Sequence, residues 1–135
     1  MKSIEKIKIT KDATIKQALK VISDGSFRIA IIVDKKDKLL GILTDGHIRR
    51  GFLKGLDINS SVKSIIFKKP IIAKKKDTRE KLLKIALSKK IYQIPVVDSN
   101  GKAIGIHVLD ELIQPKNKSN KVVIMAGGKG MRLRP

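Results

Sequence analysis

The sequence predicts an α/β fold built from two copies of one small unit, each a small sheet with two helices, related by a pseudo-twofold axis. Three observations predict it. The chain repeats itself at a shift of 64 residues, so that Asp12 to Ile42 lies without gaps on Lys76 to Ile106. Thr14 falls on Thr78, Leu19 on Leu83, Val33-Asp34 on Val97-Asp98, Lys38 on Lys102 and Gly41-Ile42 on Gly105-Ile106. Each copy then switches between helical and strand periodicity in one order: helix, strand, turn, strand, helix. Finally, a single unit is too small to bury both faces of its strands, so the two must share a core.

In the first copy Thr14 caps a helix whose apolar residues Ile15, Ala18, Leu19 and Ile22 recur at helical spacing, ending near Asp24-Gly25. The run "IAIIV" reads as a buried strand, "DKKDK" as a turn and "LLGIL" as a second strand, which makes a hairpin. "TDGHIRRGFLKG" starts a second helix, with Thr44 or Asp45 as N-cap and Ile48, Phe52 and Leu53 on its inner face. Between the copies, "LDINSSVKSIIFKKPIIAKKK" is an irregular crossing with Pro70 ahead of a short strand. The second copy follows with a helix from Thr78 to about Leu87, the strand "QIPVVD", the turn "SNGK", the strand "AIGIH" and a short closing helix "LDELI". Past Gln114, "PKNKSNK" has the composition of a linker. The chain ends on "KVVIMAGGKGMRLRP", an apolar run opening into a glycine-rich turn with Lys129, Arg132 and Arg134.

Of the 135 residues, 41% are hydrophobic, which is globular composition. Apolar runs such as Ile29 to Val33 are far too short to span a bilayer, and "MKSIEKIKIT" alternates charge with apolar residues, so neither a membrane span nor a signal peptide is expected. A cytoplasmic protein is the resulting expectation. The absence of Cys excludes disulfides and thiolate metal sites. His47 and His107 have no third ligand at a recognisable spacing, so no metal site is expected. The formal charge of +19 invites a nucleic-acid partner, yet most of the basic residues are Lys spread over every segment and aromatics make up 3%. Base readout and stacking lean on Arg and aromatics, so nucleic acid is set aside; the charge favours phosphorylated ligands or an acidic partner.

The repeat resembles a tandem pair of CBS domains, the regulatory unit called a Bateman module, from about Ile7 to Ile113. The residues that carry the likeness are the strands ending "IIVD" and "IPVVD", the hairpin turn, and the Gly-hydrophobic-hydrophobic step at Gly41 and Gly105. Read this way, residues 1–62 are the first CBS repeat and 63–113 the second, with a linker over 114–120. The resemblance implies adenosine nucleotides (AMP, ADP or ATP as regulatory ligand) in clefts between the copies. There Gly-h-h-(Thr/Ser)-x-x-Asp holds phosphate with its hydroxyl and helix N-terminus, and ribose with its Asp. Neither copy fits this pattern cleanly. Gly41 places Thr44 on the hydroxyl position but His47 on the Asp position, with Asp45, Gly46, Arg49 and Arg50 completing a phosphate end, or merely a helix cap with solvated arginines. Gly105 places Val108 on the hydroxyl position and Glu111 on the Asp position, with Asp110 beside it. Tyr92 and Ile94 either flank a purine or are a core tyrosine and a strand residue.

The last residues are similar to a different family. "MAGGKGMRLRP" resembles the opening signature of sugar-phosphate nucleotidyltransferases, G-G-x-G-x-R-L-x-P after the first strand of a Rossmann-like domain. Gly127, Gly128 and Gly130 would admit the backbone to nucleotide phosphates and Arg132 would offset their charge; Met131 replaces the usual Thr or Ser. The resemblance implies a longer enzyme making nucleotide sugars with Mg²⁺, of which residues 121–135 are a truncated start and the CBS pair a regulator. The 135 residues alone carry no complete catalytic set and no cofactor. Two functions follow: a nucleotide-sensing module, or a pair that has lost nucleotide binding and serves as a homodimerisation scaffold.

Overall fold

The computed structural model describes residues 1–114. The first copy runs β1 (Lys8–Thr10), α1 (Ile15–Asp24), β2 (Ile29–Val33), β3 (Leu39–Thr44) and α2 (Asp45–Leu53). The second runs β4 (Ala73–Lys74), α3 (Arg79–Lys89), β5 (Gln93–Val97), β6 (Ala103–Val108) and α4 (Leu109–Ile113). Each copy holds a three-stranded sheet, β1-β2-β3 or β4-β5-β6, whose first pair is parallel and second antiparallel. The repeat survives in register. Ile9 pairs with Ile32 as Ala73 does with Val96, and both hairpins carry a bulge at the same place, after Ile32 and after Val96.

Local chemistry explains most of these elements. The Thr14 hydroxyl accepts from the Gln17 N–H at 3.2 Å while the Gln17 amide oxygen accepts from the Thr14 N–H at 2.9 Å, a reciprocal cap that starts α1. Thr78 caps α3 by accepting from the Lys81 N–H at 3.2 Å. In the hairpin turns, Asp34 accepts from the N–H groups of Lys36 and Lys38, and Asp98 from those of Asn100 and Lys102, at 2.8–3.0 Å. These backbone donors, chiefly Lys38 and Lys102, hold both carboxyls below the usual range against a partial loss of solvent. Each turn exits through a left-handed residue, Asp37 (φ 64°) or Gly101 (φ 83°), for which Asp and Gly are suited.

The fully buried run of β2 serves two cores, because successive side chains leave opposite faces of a strand. Ala30 and Ile32 pack with Ile15, Ala18 and Ile48 under the helices of the first copy. Ile29, Ile31 and Val33 face the other way, into a core shared with Ala103 and Ile106 of the second copy and with Ile4 and Ile7. The second copy's own core is Ala73, Leu82, Ala86, Ile94, Val96 and Leu112. The two hairpin turns meet reciprocally: Leu39 N–H donates to Gly101 O at 3.0 Å and Ala103 N–H to Asp37 O at 2.9 Å. The pseudo-twofold axis therefore passes between Lys38 and Lys102.

Each sheet is completed by the segment that leads into a copy. Ile42 exchanges two backbone hydrogen bonds with Phe67, both at 3.0 Å, and Ile106 exchanges two with Lys2 at 2.8 and 3.0 Å. These segments lie directly on Gly41 and Gly105. A Cβ on Gly41 would stand 2.5 Å from Phe67 O and collide with the Ile66 side chain; one on Gly105 would stand 2.5 Å from Met1 Sδ and 3.0 Å from Lys2 O.

Three expectations change. On α2, Ile48 is buried but Phe52 and Leu53 are 40% and 82% exposed, because Gly51, three residues on, takes the next inward position. On α3, the helix runs to Lys89 and is ended by Lys90 in the left-handed region at φ 57°. Within the first segment, Lys8–Thr10 forms a strand against β2 that the alternating N-terminus did not announce. The residues 115–120 of the linker and the glycine-rich 121–135 lie outside the described residues.

Candidate functional site

Arg28 and Tyr92 are the same position in the two copies, one residue ahead of buried β2 and just ahead of β5, so the repeat brings them to one cleft. That cleft, about 680 Å³, spans both copies. The loop before β2 contributes Ser26, Phe27 and Arg28, and the second copy contributes Tyr92, Gln93 and the β6–α4 junction Val108, Leu109 and Asp110. Gln93 fastens it: its amide Nε2 donates to Phe27 O at 2.7 Å. Tyr92 is 67% exposed, a platform rather than a core side chain. Arg28 holds its loop at φ 57°, a costly conformation for a residue with a Cβ. An adjoining hollow of about 550 Å³ shares Ser26 and Arg28 and reaches Asp45 at the start of α2. Together these surfaces offer an aromatic face, a guanidinium and a carboxylate within one groove.

The expected residues divide among several places. Tyr92 and Asp110 line the cleft, and Asp45 its side hollow. Ile94, by contrast, is 1% exposed in the second core, where it is a packing residue. Glu111 leaves α4 toward a different groove and is engaged there with His107 Nδ1 at 3.3 Å and the Met1 amino group at 3.3 Å. Burial would raise its carboxyl, but His107 and the amino terminus outweigh that and hold it below the usual range. Adjacent on a helix, Asp110 and Glu111 thus serve different surfaces. Ser26, Phe27, Arg28 and Gln93 were missed, although applying the 64-residue shift to Tyr92 points to Arg28.

At α2 the residues Thr44, Gly46, His47 and Arg50 come together. His47 Nδ1 accepts from the Thr44 N–H at 3.1 Å and lies 3.0 Å from the Thr44 hydroxyl, while its ring stacks on Phe67 at a centroid distance of 5.4 Å. Nδ1 is therefore the acceptor nitrogen and Nε2 carries the proton. His47 closes the start of α2 as Gln17 closes α1, and its one free nitrogen is a donor, so it cannot replace a carboxylate that accepts from ribose hydroxyls. The Arg50 guanidinium lies over Gly46, within 3.8 Å of where a Cβ there would sit. Arg49 is exposed.

Burial first, and the Arg50 charge second, lower the His47 pKa from its ordinary 6.5. An unfolded chain binds this proton near pH 6.5 and the folded chain only at lower pH, so the unfolded state holds more protons across that window. Stability should fall as the pH drops from 7 through the depressed value. Thermal melts at stepped pH check this: His47→Gln, which keeps an acceptor for the Thr44 N–H, should flatten the decline.

Among the described residues no group of three His, Cys, Asp or Glu is placed to hold a metal ion, and no helix is long and apolar enough to cross a membrane. The CBS domain family model matches residues 2–54 and 62–106. An uncharacterized Helicobacter pylori (strain J99) protein is 34% identical over 110 residues, covering 78% of this chain and 32% of its own length. An inosine-5'-monophosphate dehydrogenase of Aquifex aeolicus is 28% identical over 118 residues, 87% of this chain and 24% of the enzyme. This chain thus spans about a third or less of these curated relatives. In fold, it is similar to the CBS domain protein PAE2072 of Pyrobaculum aerophilum, solved with AMP, at a TM-score of 0.71 and 16% identity over 86% of this chain and 93% of that one. With two matched repeats folded as a pseudo-symmetric pair, the chain belongs to the CBS domain family.

Proposed function

We propose that this CBS pair is a regulatory module that binds an adenosine nucleotide in the cleft between its copies. The observation that carries this reading is the cleft itself, with Tyr92 as a stacking face for a purine, Arg28 as phosphate partner and Asp110 as an acceptor for ribose hydroxyls. The AMP held by the Pyrobaculum relative supports the ligand class. Melting with AMP, ADP and ATP tests it: ligand at 100 times its Kd should add roughly 2.7 kcal/mol of stability. Arg28→Ala should then weaken binding by about 1.5–3 kcal/mol, on the order of tenfold or more, because the bond removed is to a charged group. Titrations in which no nucleotide binds, or in which Arg28→Ala binds equally well, would reject the cleft as the site.

The partner enzyme we infer is a sugar-phosphate nucleotidyltransferase, making nucleotide sugar and pyrophosphate with Mg²⁺. Support rests on the signature at Gly127, Gly128, Gly130 and Arg132, outside the described residues. A longer chain that continues this domain should turn over a nucleoside triphosphate with a sugar 1-phosphate, and the 135-residue chain should not. The alternative role, a dimerisation scaffold in a cytoplasmic enzyme, is favoured by Phe52 and Leu53 standing exposed on α2. Sedimentation at tens of micromolar should show a dimer that Leu53→Asp dissociates.

A further inference from the structure

Folding gathers part of the lysine surplus at one edge of the molecule. Two hollows of about 650 and 230 Å³ share Ile72, Val97 and Gly101 and so form one groove. It runs past β4, the edge strand of its sheet, to the hairpin turns that meet at the pseudo-twofold axis. The floor is apolar: Ile72, 40% exposed, with Val97, Pro70, Leu39 and Leu40. Lys68 lines the smaller hollow and Lys74, Lys75 and Lys76 the larger. Lys102 follows Gly101 and pairs its backbone with that of Lys38, which adds two more exposed lysines beside the groove. None of these lysines forms an ion pair among the described residues. The carboxylate that lines the groove, Asp98, is occupied by the N–H groups of Asn100 and Lys102.

The equivalent place in the first copy is shut. The 64-residue shift puts Lys8 on Ile72 and Asp37 on Gly101. Lys8 Nζ joins Asp37 Oδ1 at 3.4 Å and Glu5 Oε1 at 3.2 Å, so an ion pair stands where the second copy is open. Thr10, Lys11 and Asp12 take the places of Lys74, Lys75 and Lys76. One copy thus neutralises its edge from within, while the other leaves an apolar trough among ammonium groups that repel one another. Only an anion brought from outside relieves that repulsion.

We propose that this groove is the docking site for an acidic segment of a partner polypeptide, in which Asp or Glu alternates with aliphatic side chains. The aliphatic side chains bury against Ile72 and Leu40, and the carboxylates between them meet the lysines, whose long stems follow them. A polynucleotide would meet the same lysines but has nothing to bury on the floor, and no arginine or aromatic side chain lines the groove to take its bases. An anionic membrane is flat, whereas Ile72 lies in a hollow. A second copy of this chain, at +19, is repelled. The groove shares no residue with the cleft at Arg28 and Tyr92, so the proposal does not depend on nucleotide binding there.

Fluorescence anisotropy at low ionic strength tests it with a labelled peptide of alternating glutamate and leucine. The chain should bind this peptide, and should bind the version with glutamine in place of glutamate about tenfold or more weakly. Lys74→Glu with Lys76→Glu should weaken binding by about tenfold or more, whereas Lys20→Glu with Lys84→Glu, an equal change of charge at exposed helix positions, should keep it within about twofold. Ile72→Lys with Gly101→Asp leaves the net charge as it is and rebuilds the Lys8–Asp37 pair in the second copy. Asp37 already holds the left-handed conformation required at Gly101, φ 64° against 83°, so the turn keeps its shape and binding should be lost. The proposal would be overturned by a parent chain that does not bind, by equal binding of the glutamine peptide, or by tighter binding of oligothymidylate or phosphatidylserine vesicles than of the acidic peptide. Equal losses in the two lysine-pair variants, or full binding by the Ile72→Lys, Gly101→Asp variant, would overturn it as well.

Discussion

Alanine at Ile31 is expected to cost about 2–5 kcal/mol in urea denaturation, the range for truncating a large buried aliphatic side chain. Ile31 is fully buried, and it faces the core shared by the two copies rather than the core under α1 and α2. Its loss therefore acts on their docking. Nucleotide affinity should fall with it, since the cleft is lined from both copies. Ile32→Ala is the control: one residue along, it empties the first copy's own core and should cost a similar amount while leaving the docking contacts in place. A cost below about 1 kcal/mol at Ile31 would mean that the cavity refills, and that the shared core is softer than its burial implies.

Gly41→Ala should destabilise by about 1–3 kcal/mol, the cost of forcing extra volume into a filled site. Gly105→Ala should cost clearly less. The positions are equivalent, but what covers them differs. At Gly41 the added methyl meets the carbonyl of Phe67, which accepts from the Ile42 N–H while the Phe67 N–H donates back to Ile42 O, so this backbone is already held. At Gly105 it first meets the side chain of Met1, which can swing aside. Thermal unfolding of both variants measures the difference; equal losses would show that the segment at Phe67 yields as easily as a methionine side chain.

Much of the fold was legible because the chain states it twice. Thr14 and Thr78, Val-Asp before each turn, and the two glycines each mark a place where only a few residue types work: a helix cap, a carboxylate that gathers turn amides, a strand crossed at close range. Lys8–Thr10 was not legible, since a three-residue parallel strand takes its conformation from the β2 edge and has no periodicity of its own. The outward turn of Phe52 was hidden for a related reason. Hydrophobicity suggested an inner face, but close packing of Gly51 against Leu56 and Ile65 decides which side of α2 goes in.

The candidate site divided along the same line. In the sequence Asp110 is only the neighbour of the motif position Glu111, and Tyr92 also reads as a core residue; it is the structure that lines the cleft with both. Arg28 carries no motif, and only the twofold relation to Tyr92 brings it to the cleft. His47 shows how a motif position can hold a different kind of residue: the ring replaces a ligand-facing carboxylate with a group that completes its own helix cap.

The two edge pairings differ in how much chain must be made before each can form. Only 25 residues separate Ile42 from Phe67, whereas 104 separate Lys2 from Ile106. Closing the longer loop costs about 1 kcal/mol more in entropy, and it cannot begin until Ile106 has left the ribosome. During synthesis the first sheet can finish with sequence made soon after it, while the second must wait for Lys2, made some hundred residues earlier, to come back to it. Until then Lys2 lacks its strand partner, and Ile4 and Ile7 have only the first copy's half of the core they will later fill. A nascent chain halted before residue 106 should therefore keep its N-terminus open to protease while its first hairpin is already resistant.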